Sequence, residues 1–498
     1  MYEMDERNIL STTKYVAAMK KKFLVSEICT YLDDNPGIDE VYSVIKPHLS
    51  ELRLLASVIG SDYELSLRET PRPFIHDAES LSRQKTFLQS PSLPDDFEKG
   101  INDFIVKKTG KPLHDPLTLE RIRTAVREQK AGYWREGSSR TIEYRKGYSV
   151  MAYLAYQAPV YIVQFEHLLT MLMSDGLLTR NMRILDAGTG PGVVPLAIID
   201  FYRRFPGNSA EIFSIEQSDE FIEAFREIAI PYNDRVAGIR LHQPLQGDIG
   251  AIDSSSLPSG LDLIVLQNVL NEIPDISARV EIIRKYNGLL SENGLMLVIE
   301  PADLDNSTGL RKTVSQALDK GISLYAPCAF IWGSRCRPES CWSFEEKPSI
   351  RPPRLMQALA DCSEPYRYLN TDIKYSYAVL KNDRLSRTAY RVPRGSHMAR
   401  FSSLHQHLNR RINCAALKMS GNLGDEKTNV FKICDGTTGR PVFAVLPSYH
   451  ITPGNRCLVD AAYGAVLQLT AVDVRLNPAH DAYNLLVTRR SGVREMKG

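Results

Sequence analysis

The stretch RILDAGTGPG, residues 183–192, constrains this chain more than any other. An apolar run ends in an acid, and three glycines follow at alternate positions. Glycines 188, 190 and 192 let the backbone approach a ligand closely and turn sharply into a helix, whose N-terminal amides can face a polar group. The pattern then repeats: PLAIIDFYRRF reads as a helix, AEIFSIEQ as a strand, DEFIEAFREIA as a helix, LDLIVLQNVL as a strand, SARVEIIRKYNGLL as a helix and GLMLVIEP as a strand. Short apolar runs alternating with amphipathic helices predict a doubly wound α/β fold, with a parallel sheet covered on both faces.

Glu216 ends the second of these strands, thirty residues after Asp186. An acid there can accept both hydroxyls of a ribose. That arrangement suits NAD as well. However, D-x-G-x-G-x-G with an acid inside the first motif resembles the class I (Rossmann-like) methyltransferases that use S-adenosylmethionine, rather than the G-x-G-x-x-G of dehydrogenases. On this reading Asp186, Gly188, Gly190, Gly192 and Glu216 hold the cofactor. The resemblance also places Asp248, in LQGDIG, near the adenine and LQNVLNEI, with Gln267, at the mouth of the site. No Asn-Pro-Pro-Tyr or Pro-Cys motif marks a catalytic residue. Gln267, Asn268, Asn271 and Glu272 suit either orienting a substrate or capping a helix. Methyl transfer driven by alignment of donor and acceptor needs no obvious base.

At 498 residues the chain is long enough for two to four domains. Residues 1–145 read as a helical N-terminal region, with amphipathic segments such as VYSVIKPHLSELRLLASVI and a break at QSPSLPDDF; residues 146–325 read as the α/β core. No apolar run reaches the roughly 18 residues of a membrane helix, and the start, MYEMDERNIL, is acidic and has no apolar signal core, so a cytoplasmic protein without membrane contact is expected. Residues 119–146 are rich in Arg and Lys, with Tyr133, Trp134 and Tyr144 among them. They suit either a solvated helix face or phosphate contacts with aromatics stacked on bases. Residues 381–411 hold eight Lys or Arg against one acid, Asp383, with His397, His405 and His407. Such one-sided charge in a linker points to nucleic acid. From 412 to 498, short strand candidates separated by turns predict a small β-barrel of the OB type.

Three of the eight cysteines, Cys328, Cys336 and Cys341, fall within APCAFIWGSRCRPESCWSF. Pro327, Gly333 and Pro338 exclude a regular helix there, and an irregular loop can wrap zinc or an iron–sulfur cluster. The plainer alternative is buried thiols acting as small hydrophobes. A closed site needs a fourth ligand; Cys362 is nearest in sequence, and Cys434 lies on a strand candidate of the C-terminal domain. The cysteine loop, the KYSYAVLK segment in 326–380 and the trailing strand Cys together resemble a methyltransferase-like family that assists assembly of the mitochondrial small ribosomal subunit and has bacterial and archaeal relatives. That resemblance implies a [4Fe–4S] cluster on Cys328, Cys336, Cys341 and Cys434, and action on ribosomal RNA or the small ribosomal subunit. A non-catalytic assembly factor and a zinc-containing methyltransferase of proteins or small molecules are the alternatives.

Overall fold

The computed structural model describes residues 6–33, 36–49, 51–52, 54–67, 71–133, 147–336, 338–339 and 341–496. They divide into two units, one of residues 1–84, 169–265 and 282–296, the other of 85–168, 266–281 and 297–498. Among the described residues no helix is long and apolar enough to cross a membrane.

The first unit opens with helix Glu6–Met19, strand β1 (Lys22–Leu24), helices Val25–Cys29 and Ile38–Ile45, and strands β2 (Leu54–Ile59) and β3 (Asp62–Leu67). The strands pair in the order β1-β3-β2 as a three-stranded sheet accompanied by these three helices. The sequence reading of a helix through VYSVIKPHLSELRLLASVI is corrected here. The α-helix ends at Ile45, Pro47 lies in the short turn that follows, and LLASVI pairs with DYELSL in antiparallel register. In isolation such a short, mostly apolar run does not distinguish strand from helix.

The same unit holds the glycine turn. Strands β4 (Asn181–Ala187), β5 (Ser209–Glu216), β6 (Ile239–Leu241), β7 (Leu245–Gln246), β8 (Leu261–Gln267) and β9 (Leu290–Pro301) give the order β9-β8-β4-β5-β6. β4 runs parallel to β5 and β8, and β5 parallel to β6 and β7. Helices Val193–Arg204, Asp219–Asn233 and Ile276–Asn287 make the crossovers. At the starts of the strands a charge cluster ties the sheet together. Arg183 reaches Glu211 at 3.2 Å, and Arg240 and His242 reach it at 3.4 and 3.0 Å.

In the second unit, to which the end of β9 belongs, β10 (Ser323–Ala326), β11 (Glu345–Lys347) and β12 (Ile373–Lys381) pair in the order β10-β12-β9, with β11 on β12. β12 is antiparallel to β10 and β11. The sheet is therefore mixed, not wholly parallel as its repeating pattern predicts. β12 carries KYSYAVLK, and a strand buried on both faces shows the same apolar run whichever way it points. The apolar pair of helices expected before the core is present as Ser149–Tyr156 and Ala158–Ser174.

The C-terminal barrel comprises β13 (Arg411–Lys418), β14 (Thr428–Cys434), β15 (Val442–Pro447), β16 (Val466–Asn477), β17 (Ala482–Leu486) and β18 (Gly492–Glu495). The order β13-β14-β15-β17-β16 closes through a β13–β16 pairing, β15 and β17 are parallel, and a short helix, Cys457–Asp460, precedes β16. This is the five-stranded OB arrangement that the turn-punctuated sequence predicts. Phe401 and Leu404, from the basic linker, are buried in the barrel core. The linker is thus seated on the barrel and not free in solvent.

Burial alone would raise the Glu211 carboxyl, but the His242 hydrogen bond and the charges of Arg183, His242 and Arg240 hold it at about 2, below its ordinary 4.5. A depressed carboxylate stabilises the fold above its unfolded pKa, and that stability is lost as pH falls through the folded one. Glu211→Gln is therefore expected to lower the urea midpoint at pH 7 and to flatten its decline from pH 5 toward pH 2. An unchanged acid profile would show that the cluster contributes nothing.

Candidate cofactor site and thiol cluster

The glycine turn is fixed by β5. The amides of Gly188 and Thr189 both donate to Ile215 C=O at 2.9 Å. Glu216, 7% exposed, accepts from Gly190 N–H at 2.8 Å through Oε2, and from Gln217 and Ser218 N–H at 2.9 and 2.8 Å through Oε1. Burial raises its pKa and these three amides oppose the rise. Glu216 thus shapes the turn itself, while carboxylate oxygens retain further acceptor sites for ribose hydroxyls. Gly192, at φ 93°, starts helix Val193–Arg204; a Cβ there would stand 2.9 Å from the Phe225 ring and 3.1 Å from Ala229. A Cβ on Gly190 would meet nothing within 4 Å, which is the open approach a cofactor needs. Gly188 shares the left-handed conformation at φ 84°.

Asp186 is 1% exposed, and neither of its carboxyl oxygens has a well-formed hydrogen bond; the buried hydroxyls of Thr189 and Ser214 also lack one. Burial pushes Asp186 up to about 7, with the nearby Thr189 hydroxyl opposing and the Glu216 charge adding to the rise. Buried polar atoms left without partners around a glycine turn are what a polar ligand would satisfy. The residues present therefore fit a nucleoside cofactor.

Asp248 sits at the exposed end of the next loop, and Gly247 N–H donates to Glu216 C=O at 3.0 Å. Asp248 Oδ1 accepts from Gly250 and Ala251 N–H at 2.7 and 3.0 Å, which leaves Oδ2 for an adenine amine. Sequence reading missed Lys285, which holds this loop in shape: its ammonium donates to the carbonyls of Ile249 at 3.1 Å, Gly250 at 3.2 Å and Ile252. Tyr286 OH adds a bond to Ile249 C=O at 3.1 Å. In the second unit, Gln267 donates Nε2–H to Tyr161 C=O at 3.1 Å, which ties the end of β8 to helix Ala158–Ser174. Asn268 adopts φ 55° and Asn271 N–H caps onto the buried Glu300 carboxyl at 3.3 Å.

The cysteines of the loop and of the barrel come together. Pro327, beside Cys328, lies 3.7 Å from the Cβ position of Gly464; Phe330 and Ser334, between Cys328 and Cys336, lie 3.9 Å from that of Gly436; Cys341 Sγ is 3.7 Å from Lys432 Nζ. Cys434 lies between Lys432 and Gly436 and accepts from Gly436 N–H at 3.4 Å. Burial raises the Cys434 pKa far above its ordinary value, and Cys341, Cys336 and Cys328 each add to the rise. Burial likewise pushes Cys336 up to about 12, with Cys328 and Cys341 adding to it. Cys362 takes no part in these interactions; it follows helix Arg354–Ala360, with its amide bonded to Ala360 C=O. Among the described residues no three His, Cys, Asp or Glu side chains stand in the close arrangement that holds a single metal ion. The four thiols are neighbours without yet forming such a site.

Part of the basic residues are already used. On helix Pro116–Tyr133, Arg123 caps the end of helix Arg354–Ala360 through Leu359, Ala358 and Asp361 C=O at 2.9 to 3.1 Å, Arg127 bonds Tyr368 OH at 3.1 Å, and Lys130 bonds Arg367 C=O. Trp134 and Tyr144 lie outside the described residues. In 381–411, Lys381 pairs with Asp383 at 2.7 Å and Arg400 covers Trp332 at 4.5 Å. Arg384, Arg391, Arg394, His397 and Arg410 are exposed.

Residues 178–343 match the sequence profile of a methyltransferase domain. Residues 6–58 and 402–496 match the N-terminal and C-terminal domains of a domain of unknown function, DUF8157. No curated protein matches the chain. Solved structures with a similar fold include a TehB-like SAM-dependent methyltransferase from Corynebacterium glutamicum, 16% identical over 33% of this chain and 84% of that one, with a TM-score of 0.23. Magnesium protoporphyrin IX methyltransferase from Synechocystis, with bound SAH, is 12% identical over 57% and 99% at 0.28. The N-methyltransferase NodS from Bradyrhizobium japonicum is 14% identical over 44% and 96% at 0.26. At such scores these likenesses carry no argument about this chain. The domain match agrees with the class read from the glycine turn: the core is that of an S-adenosylmethionine-dependent methyltransferase.

Glu216→Gln removes a charged acceptor from the turn. Affinity for S-adenosylhomocysteine, measured by calorimetry, is expected to fall about tenfold or more, since a hydrogen bond to a charged group contributes roughly 1.5–3 kcal/mol. Wild-type affinity in the variant would remove Glu216 from the binding site.

Proposed function

We propose that this chain methylates ribosomal RNA or a component of the small ribosomal subunit, and that Cys328, Cys336, Cys341 and Cys434 hold a [4Fe–4S] cluster. The convergence of three loop thiols on one cysteine of the barrel, Cys434, carries this reading.

S-adenosylmethionine, when bound, supplies a methyl group on a cationic sulfur that a well-aligned lone pair can take without a dedicated base. The chain's own residues hold and orient. The glycine turn and Glu216 would receive the ribose, Asp248 on its Lys285-braced loop would receive the adenine amine, and Asp186 with Thr189 and Ser214 would supply the buried polar partners beneath.

The donor set fits a thiolate-bound centre. Zinc and iron–sulfur clusters are both held by cysteine thiolates, and Cys328, Cys336 and Cys341 all lie near enough to Cys434 to act on its charge. The cluster's role would be structural, joining the loop after β10 to strand β14. RNA binding is supported by the OB barrel and by the exposed cations of the linker seated on it. The first unit contributes an acidic helix face instead. The exposed face of its helix Ile38–Ile45 is Asp39, Glu40 and Ser43, which a phosphate backbone would avoid.

Purified without oxygen, the chain is expected to be brown, with about four irons and four sulfides per chain, and Cys434→Ser to lose most of both. A colourless chain with one zinc would replace the cluster by zinc. Immature small subunits incubated with methyl-labelled cofactor are expected to take label into RNA, and binding is expected to weaken steeply with salt. Binding without label would make the chain an assembly factor, and label on free small molecules alone would exclude the ribosomal substrate.

A further inference from the structure

Arg311, on helix Leu304–Asp319, is 4% exposed. Its guanidinium donates Nε–H to Ser343 Oγ at 2.9 Å, Nη1–H to Tyr377 C=O at 2.9 Å, and Nη2–H to Ser376 Oγ at 3.2 Å and Tyr463 OH at 3.1 Å. None of these partners carries a charge at neutral pH. Lys432, 6% exposed on β14, directs its ammonium at Cys341 Sγ, 3.7 Å away. Two buried cations thus meet neutral hydroxyls, a carbonyl and a thiol, an arrangement proteins avoid because an uncompensated buried charge is costly.

The thiols are the groups placed to compensate these two cations. The buried Glu345 carboxylate is already engaged by Tyr375 OH at 3.2 Å and by Lys347, whereas Cys341 Sγ stands 3.7 Å from Lys432 Nζ. Ser343 links the two sets, since its hydroxyl accepts from Arg311 and lies 3.8 Å from Cys341 Sγ.

We infer that Arg311 and Lys432 are the counter-ions of a four-thiolate centre formed by Cys328, Cys336, Cys341 and Cys434, one fixed cation for each of its two net negative charges. Four thiolates around an oxidised [4Fe–4S] core leave two negative charges, as they do around one zinc ion. The inference rests on the metal centre proposed above and adds the residues that set its charge balance. The two cations differ in kind. Arg311 is a planar fork locked by four hydrogen bonds, and Lys432 is a point charge carried by the barrel strand that bears Cys434. Both are positioning residues that act through the sulfurs. In an iron–sulfur centre they favour the reduced, more negative state, and in a zinc site they favour retention of the metal.

The test uses the full chain, purified without oxygen, as wild type, Lys432→Met and Lys432→Arg. Iron, sulfide and zinc content, the half-life of the metal against a chelator and, where iron is present, the midpoint potential are measured. Lys432→Met is expected to take up metal, to shift the potential to more negative values and to lose metal about tenfold faster; Lys432→Arg is expected to restore both. Arg311→Lys, which keeps the charge and gives up most of the hydrogen bonds, provides a second reading if Lys432→Met does not fold, and is expected to retain the wild-type potential or chelator half-life. Loaded Lys432→Met with wild-type potential and half-life overturns the counter-ion role and leaves the centre standing. A shifted Arg311→Lys marks a hydrogen-bond hub instead of a counter-ion. A wild-type chain with neither iron nor zinc overturns centre and counter-ions together.

Discussion

Thiols gathered inside a protein repel one another as they ionise, and the second unit is built around that tension. Cys434 comes near Cys328, Cys336 and Cys341 because the loop after β10 and the strand β14 meet, with Pro327 packed beside Gly464 and Phe330 and Ser334 beside Gly436. The same place holds two buried cations whose hydrogen-bond partners are neutral. Neither set is comfortable alone. Neutral thiols leave Arg311 and Lys432 uncompensated and ionised thiols repel one another, and the centre proposed above would relieve both costs.

In the first unit a carboxylate does comparable organising work. Glu216 gathers three amides, from both sides of the crossover between β5 and its neighbouring turns, before any ligand is considered. Its own carbonyl receives Gly247 N–H, so the glycine turn and the Asp248 loop are both referred to the end of one strand. Lys285 then fixes the far side of that loop through three carbonyls. A pocket edge assembled from backbone groups in this way is preorganised, which spares a cofactor the entropy of ordering it.

The alternation of apolar strand and amphipathic helix was enough to read the parallel part of the sheet, because buried parallel strands and their crossovers leave a period that survives in sequence. The turn residues of the barrel were equally legible. Direction and partnership were not. KYSYAVLK has one composition whether it enters parallel or antiparallel, and LLASVI looks helical until DYELSL is set beside it. Spacing left Cys362 and Cys434 as equal claimants, since the contact that brings the β14 segment to the cysteine loop, Lys432 with Cys341, spans 91 residues. Arg311, Lys285 and Lys432 gave no signal at all. A single cation in a helix or strand has no local pattern, and its meaning comes only from the carbonyls and sulfurs that the fold brings to it.

The two ends of the chain differ in charge, and charge is the guide to a polyanionic partner. In the N-terminal segment the exposed face of helix Ile38–Ile45 presents Asp39 and Glu40, and Lys14, Lys20 and Lys22 pair with Glu51, Glu27 and Glu64. A phosphate backbone gains from releasing its counterions only where cations are free to replace them. The linker seated on the barrel has such cations in Arg384, Arg394 and Arg410, held in place by Phe401 and Leu404 in the barrel core.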